Sequence, residues 1–132
     1  MTAMPPLPPF PASRPRRMRR DAAIRALVRE SSLAPADFIY PVFVLDGHDR
    51  AEAVASMPGV QRLSVDRLFA QAEACLSLGV PVMALFPVID PALKHADGRE
   101  ALNPDGLVPR AVQALKSRFP ELALLTDVAL DP

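Results

Sequence analysis

The sequence predicts an α/β protein built on a parallel sheet, and three observations carry that expectation. Strand-like apolar runs alternate with amphipathic helical stretches along the chain. The run VPVMALFPVI (80–89) is continuously apolar, as a strand covered on both faces must be. The polar segments between runs are long enough for crossovers rather than hairpins. The predicted order is arm, helix, then β–α–β–α–β, which implies right-handed crossovers between parallel strands. Two segments follow: a Pro/Arg-rich extended arm over residues 1–20, and an α/β portion over 21–132.

The arm comes first. Six prolines in the first fifteen residues favour extended, polyproline-like backbone. RPRRMRR (14–20) holds five arginines in seven residues, a composition suited to carboxylates across an interface. Asp21 then caps a short helix carrying Ile24, Leu27 and Val28 at helical spacing. DFIYPVFVLDG (37–47) reads as a buried strand closed by Asp-Gly. Pro41 lacks an N–H, so it demotes the middle of that strand to an edge or irregular position. Residues 48–63 read as a loop turning at Pro58-Gly59. Ser64 caps the next helix, Asp66 suits its positive end, and Val65, Leu68, Phe69, Ala72 and Leu76 form its apolar stripe. Gly79 ends it. After strand 80–89 and a polar loop (90–106), Asn103-Pro104 starts a helix with Leu107, Val108, Ala111, Val112 and Leu115 on one side. Pro120 ends that helix, and LALLTDVAL is the third strand.

Composition excludes several classes. Lys plus Arg equals Asp plus Glu, 15 each, so net charge predicts no nucleic-acid or membrane partner. A single cysteine, Cys75, allows no intrachain disulfide and no Cys-based zinc knuckle. It falls in a helical pattern and reads as a small apolar side chain. No run approaches the roughly 18 apolar residues of a membrane span, and the N-terminus lacks the apolar core of a secretory signal. The expected location is cytoplasmic.

The last strand carries Asp127 and Asp131, four residues apart and therefore on one face of an extended strand. Two carboxylates at a strand end are candidate site residues. The plainer reading is that they bond loop N–H groups. Three strands with an uncovered apolar edge are few for a domain, so the chain is expected to be part of a larger one. A self-standing open α/β domain is the other reading. His48 and His95 stand isolated in loops. SMPG (56–59) reads as a turn, and NPDG (103–106) as a helix start.

Four stretches taken together carry a resemblance: RPRRMRRDAAIRALVRESSLAPADFIYPVFVLDG, SMPGVQRLSVDRL, ALFPV, and ALNPDGLVPRAVQALKSRFPELALLTDVALDP with its closing TDVALDP. In this order and spacing, from about Arg14 to Pro132, they resemble the N-terminal part of the porphobilinogen synthases, also called delta-aminolevulinic acid dehydratases. The resemblance implies an N-terminal arm followed by the first three strands of a (β/α)8 TIM barrel, incomplete within these residues. It implies condensation of two 5-aminolevulinate molecules to porphobilinogen in tetrapyrrole (heme) synthesis, and homo-octamers held through the arm.

Members of that family use two Schiff-base lysines. The two lysines here, Lys94 and Lys116, match neither. Asp127 matches an active-site aspartate that positions the substrate amine or relays protons. Zinc-dependent members carry cysteines at the positions of Ala129 and Asp131. A carboxylate at 131 implies a metal ligand for hard cations, so magnesium is expected, at this site or at an allosteric site outside the chain, and catalytic zinc is not. The candidate catalytic residues are thus Asp127 and Asp131, with Asp131 as metal ligand. Two alternatives stand beside this: a non-catalytic assembly piece docking on full-length subunits, and an unrelated small α/β binding domain.

Overall fold

A computed structural model describes residues 7–14 and 16–127. The chain divides into two compact units, Met1–Leu33 and Ala34–Pro132. The first contains a 3-10 turn at Arg17–Arg19 and a short helix α1 (Ala22–Leu27). Asp21 caps α1 as expected, its Oδ1 accepting the Ile24 N–H at 2.9 Å. The short helix falls within the first of these two units.

The second unit holds a five-stranded sheet: β1 (Ile39–Leu45), β2 (Ala51–Ala53), β3 (Gln61–Ser64), β4 (Val82–Val88) and β5 (Ala123–Thr126), in spatial order β2-β3-β1-β4-β5. Neighbours β3, β1, β4 and β5 run parallel, and β2 lies antiparallel on β3. Helix α2 (Val65–Leu78) connects β3 to β4, and α3 (Leu107–Arg118) connects β4 to β5. The three expected strands are all present.

The 48–63 region is a correction. Instead of a plain loop it contains β2 and β3, joined by a turn in which Val54 N–H bonds Val60 O and Gly59 takes φ +84°. Neither strand alternates apolar and polar residues over a usable length, so periodicity could not reveal them. Ser64 is a second correction. It precedes α2 but makes no side-chain cap. Fully buried, its hydroxyl instead accepts the Arg50 N–H at 3.0 Å and donates to Arg50 O at 3.2 Å, locking β3 to the preceding loop. A third correction concerns α3, which begins at Leu107 after Gly106, not at Asn103-Pro104. The Asn103 side chain holds the turn before the helix by accepting the Asp105 N–H.

Pro41 sits in a central strand, yet the edge expectation holds locally. β1 pairs with β3 only from Phe43 to Leu45, whereas it pairs with β4 from Ile39 to Leu45. At Pro41 the strand has a neighbour on one side only, where a missing N–H is tolerated.

The core lies between the sheet and α2/α3. Val42, Val44, Leu63, Met83, Leu85 and Leu122 meet Leu68, Ala72 and Cys75 of α2 and Leu107, Ala111 and Leu115 of α3. Gly79 ends α2 with φ +78°, as its position predicted. Side chains of opposite parity form the other sheet face. There Ile39, Phe86 and Leu125 remain 52%, 41% and 45% exposed, and the Phe43 and Phe86 rings sit 6.3 Å apart. β1 is therefore buried only from Val42 onward, which corrects the reading of 37–47 as buried throughout.

Candidate active-site rim at the strand ends

Parallel strands in α/β proteins present their C-terminal ends to ligands. Here three neighbouring parallel strands each run out into an aspartate: Asp46 directly after β1, Asp90 two residues after β4, and Asp127 directly after β5. The spatial order β1-β4-β5 sets them along one rim of the sheet.

A cavity of about 750 Å³ opens at this end. Leu45, Asp46 and Gly47 line it from β1, Val88, Ile89 and Asp90 from β4, and Gly106, Leu107 and Arg110 from the start of α3. Arg50, Glu52, Glu100 and Asp105 contribute further charges. Asp46 is its best-anchored carboxylate. Its Oδ1 accepts the Gly47 N–H at 2.8 Å and pairs with Arg110 at 3.0 Å. The Gly47 N–H, then the Arg110 guanidinium and the charge of Arg50, hold the Asp46 carboxyl below the usual carboxylate range, against an opposing effect of partial burial. Arg50 also donates to Asp46 O at 2.8 Å and pairs with Glu52. Both arginines are thus committed to neighbouring acceptors. Asp90 accepts the Ala92 N–H at 2.9 Å and starts a 3-10 turn.

Asp127 is exposed and does not line this cavity. Continuing the alternation of β5, it falls on the uncovered sheet face beside Leu125, next to the position of Phe86. Asp131 and Ala129 lie outside the described residues, so the pairing of Asp127 with Asp131 is not part of this geometry. Lys94 is exposed in the 90–106 loop. The Lys116 ammonium is spent on structure: it donates to the carbonyls of Pro120 and, at 2.9 Å, Leu122, tying α3 to the start of β5. His48 is exposed, with Nε2 4.0 Å from Asp66. Cys75 is buried in the core, and burial pushes its thiol up, away from reactivity. Among the described residues no three His, Cys, Asp or Glu side chains converge to hold a metal ion, and no helix is long and apolar enough to cross a membrane.

Sequence reasoning selected Asp127 but passed over Asp46, Asp90 and Arg110. Asp46-Gly47 was read as a turn and Asp90 as the start of a loop. The usable signal is the repeated apolar run followed by Asp at the ends of β1, β4 and β5.

The family model described as delta-aminolevulinic acid dehydratase matches residues 12–132. The chain belongs to that family. Among curated dehydratases it is 50% identical to that of Bradyrhizobium diazoefficiens over 121 residues, covering 92% of this chain and 34% of the relative. It is 47% identical over 121 residues to the chloroplastic dehydratase of Physcomitrium patens, covering 91% of this chain and 28% of that one. Among solved structures, the dehydratase of Toxoplasma gondii ME49, crystallised with the reaction product porphobilinogen, superposes with a TM-score of 0.83 at 45% identity. That match covers 89% of this chain and 33% of the other. The chain therefore spans about a third of the length of the dehydratases it matches. The family membership removes the reading as an unrelated small α/β binding domain.

Proposed function

We propose that these residues form the arm and the first strands of a (β/α)8 barrel that condenses two 5-aminolevulinate molecules to porphobilinogen with loss of two waters, within heme biosynthesis. The observation that carries this is the 45% identity and 0.83 TM-score to a dehydratase holding that product. In this reading β1, β4 and β5 are the first three barrel strands. The face bearing Phe43, Phe86 and Leu125 is the barrel interior, and the aspartate rim is the catalytic end.

Each group then has a role set by its chemistry. Asp127, at the end of an inward-facing row, orients a substrate ammonium or passes a proton. Asp131 takes the place of a metal-ligating thiolate. The donors fit magnesium better than zinc: position 131 is a hard carboxylate, position 129 is alanine, and the one thiol of the sequence is buried in the core. Magnesium held at Asp131, or at an allosteric site outside this chain, would supply fixed positive charge. The complete enzyme is expected to stay active when zinc is stripped, and activity restored only by zinc would contradict this assignment. The same reading makes the complete protein a cytoplasmic homo-oligomer, an octamer, joined through the arm, with no nucleic-acid or membrane partner.

Schiff-base formation needs a neutral amine in a desolvated pocket. Lys94 and Lys116 are both exposed, and the Lys116 ammonium is bound by two carbonyls. The lysines that do this chemistry therefore belong to the rest of the barrel. The test uses the purified 132-residue chain with 5-aminolevulinate, borohydride reduction and mass spectrometry. The expected result is no lysine adduct and no porphobilinogen. A specific adduct on either lysine, with product, would overturn the reading.

A further inference from the structure

One row of side chains crosses the open face of the sheet. Pairing sets Glu52 of β2 beside Arg62 of β3, Arg62 beside Phe43 of β1, and Phe43 beside Phe86 of β4. Directly paired residues share a face. One step past the Leu85–Thr126 pair, Asp127 follows Phe86. The middle of the row is aromatic, with the two rings 6.3 Å apart, and its flanks are charged. Leu45 and Val88, the next residues on the same face, line the cavity at the strand ends, as does Glu52, so the row borders that cavity. Arg62 is half-buried. The other arginines of the 34–132 unit all have partners: Arg50 with Glu52, Arg67 with Asp49, Arg99 with Asp97, Arg110 with Asp46, and Arg118 over the Phe69 and Phe119 rings. Among the described residues, Arg62 alone of the six has no such partner, and its neighbour Glu52 is taken by Arg50.

We propose that Arg62 is a substrate-binding residue of the complete barrel, its guanidinium taking the carboxylate of one 5-aminolevulinate whose carbon chain lies over Phe43 and Phe86. This rests on the reading given under Proposed function and adds a binding residue to it. The substrate carries a carboxylate at one end and an amine at the other, and the row offers a guanidinium on one side of its rings and the Asp127 carboxylate on the other. A planar guanidinium fork bonds both oxygens of a carboxylate at once, and a partly desolvated one gains most from doing so. The scale agrees. From β3 to β5 the row spans three strand spacings, about 14 Å between backbones. The long Arg62 side chain and the shorter Asp127 side chain close that gap to the length of one extended five-carbon chain. The rings between them cover its methylene groups and keep water from the ends.

The experiment uses a complete dehydratase in which these 132 residues replace the matching third of the Bradyrhizobium diazoefficiens protein. The parent, Arg62→Met and Arg62→Lys are compared, with circular dichroism confirming that each folds. Two quantities are read: KM and kcat for 5-aminolevulinate, and inhibition by levulinate beside its neutral methyl ester. Levulinate is the substrate without its amine, and the ester removes the negative charge as well. Arg62→Met is expected to raise KM and weaken levulinate at least about tenfold, with a smaller change in kcat and ester inhibition unchanged within about twofold. Arg62→Lys is expected to fall between parent and Met variant, and it decides by the same acid-to-ester comparison if the Met variant does not fold. A residue that only supports the fold would weaken acid and ester alike. An active parent whose folded variants keep the KM, or lose acid and ester equally, overturns the assignment of Arg62 and leaves the catalytic reading standing. A folded parent that makes no porphobilinogen overturns both.

Discussion

At the scale of single residues, the rim is an arrangement of carboxylates with unequal support. Asp46 is held by a backbone N–H and a guanidinium, and its carboxyl is correspondingly acidic. Because the folded-state pKa lies below the unfolded one, the resulting stability is full above the ordinary aspartate range. It fades as pH falls through the depressed folded value. Asp46 is 65% exposed at the side chain, so solvent screens the pair. Arg110→Ala is therefore expected to cost only about 0.2–1 kcal/mol at pH 7, and less at pH 3, in urea melts at both pH values. A cost that grows on acidification would contradict the sign. Leu68 behaves differently. It is fully buried among β-strand and helix side chains, so Leu68→Ala is expected to cost about 2–5 kcal/mol, checked by the same melts. Leu68 was legible as a core position because helical periodicity marks it. Arg110 was not, because its partner lies 64 positions earlier and no local pattern encodes that distance.

At the scale of elements, what could be read followed from signals complete within a few residues. Asp21 as a cap, Gly79 as a stop and the stripes of α2 and α3 are local chemistry, and each is present. Ser64 has the residue type and backbone of a cap, yet its hydroxyl is taken by Arg50 across the sheet edge. Tertiary bonding overrode the local preference. β2 and β3 are too short to show a period, and they exist because pairing supplies their hydrogen bonds, β3 from β1 and β2 from β3. Gly79 offers a clean test. An added Cβ would meet Pro35 Cβ at 3.5 Å, an ordinary contact, so the penalty comes from the left-handed backbone alone. Gly79→Ala is expected to cost about 1–2 kcal/mol in thermal or urea unfolding. No measurable loss would mean that the helix end relaxes to another conformation.

At the scale of the whole molecule, one side of the sheet is finished and the other is not. Helices α2 and α3 cover the face carrying Val44, Met83 and Leu85, while Ile39, Phe86 and Leu125 stay open on the reverse. The apolar run 80–89 predicted two-sided burial, and the first half of β4 meets it: Met83, Ala84 and Leu85 are buried in succession. Phe86 does not, because its face is the one no helix of this unit packs against. In the proposed reading this open, strand-lined apolar face is the inside of a barrel that these residues form only in part, and both substrates are held in register only by the complete barrel. The most direct measurement of that claim is a chimera in which these 132 residues replace the matching third of the Bradyrhizobium diazoefficiens dehydratase. It should be assayed for porphobilinogen beside the same chimera carrying Asp127→Asn. Product is expected from the first, with a loss of at least about a hundredfold in the second. A folded chimera that makes no porphobilinogen, or an Asp127→Asn form as active as its parent, would contradict it.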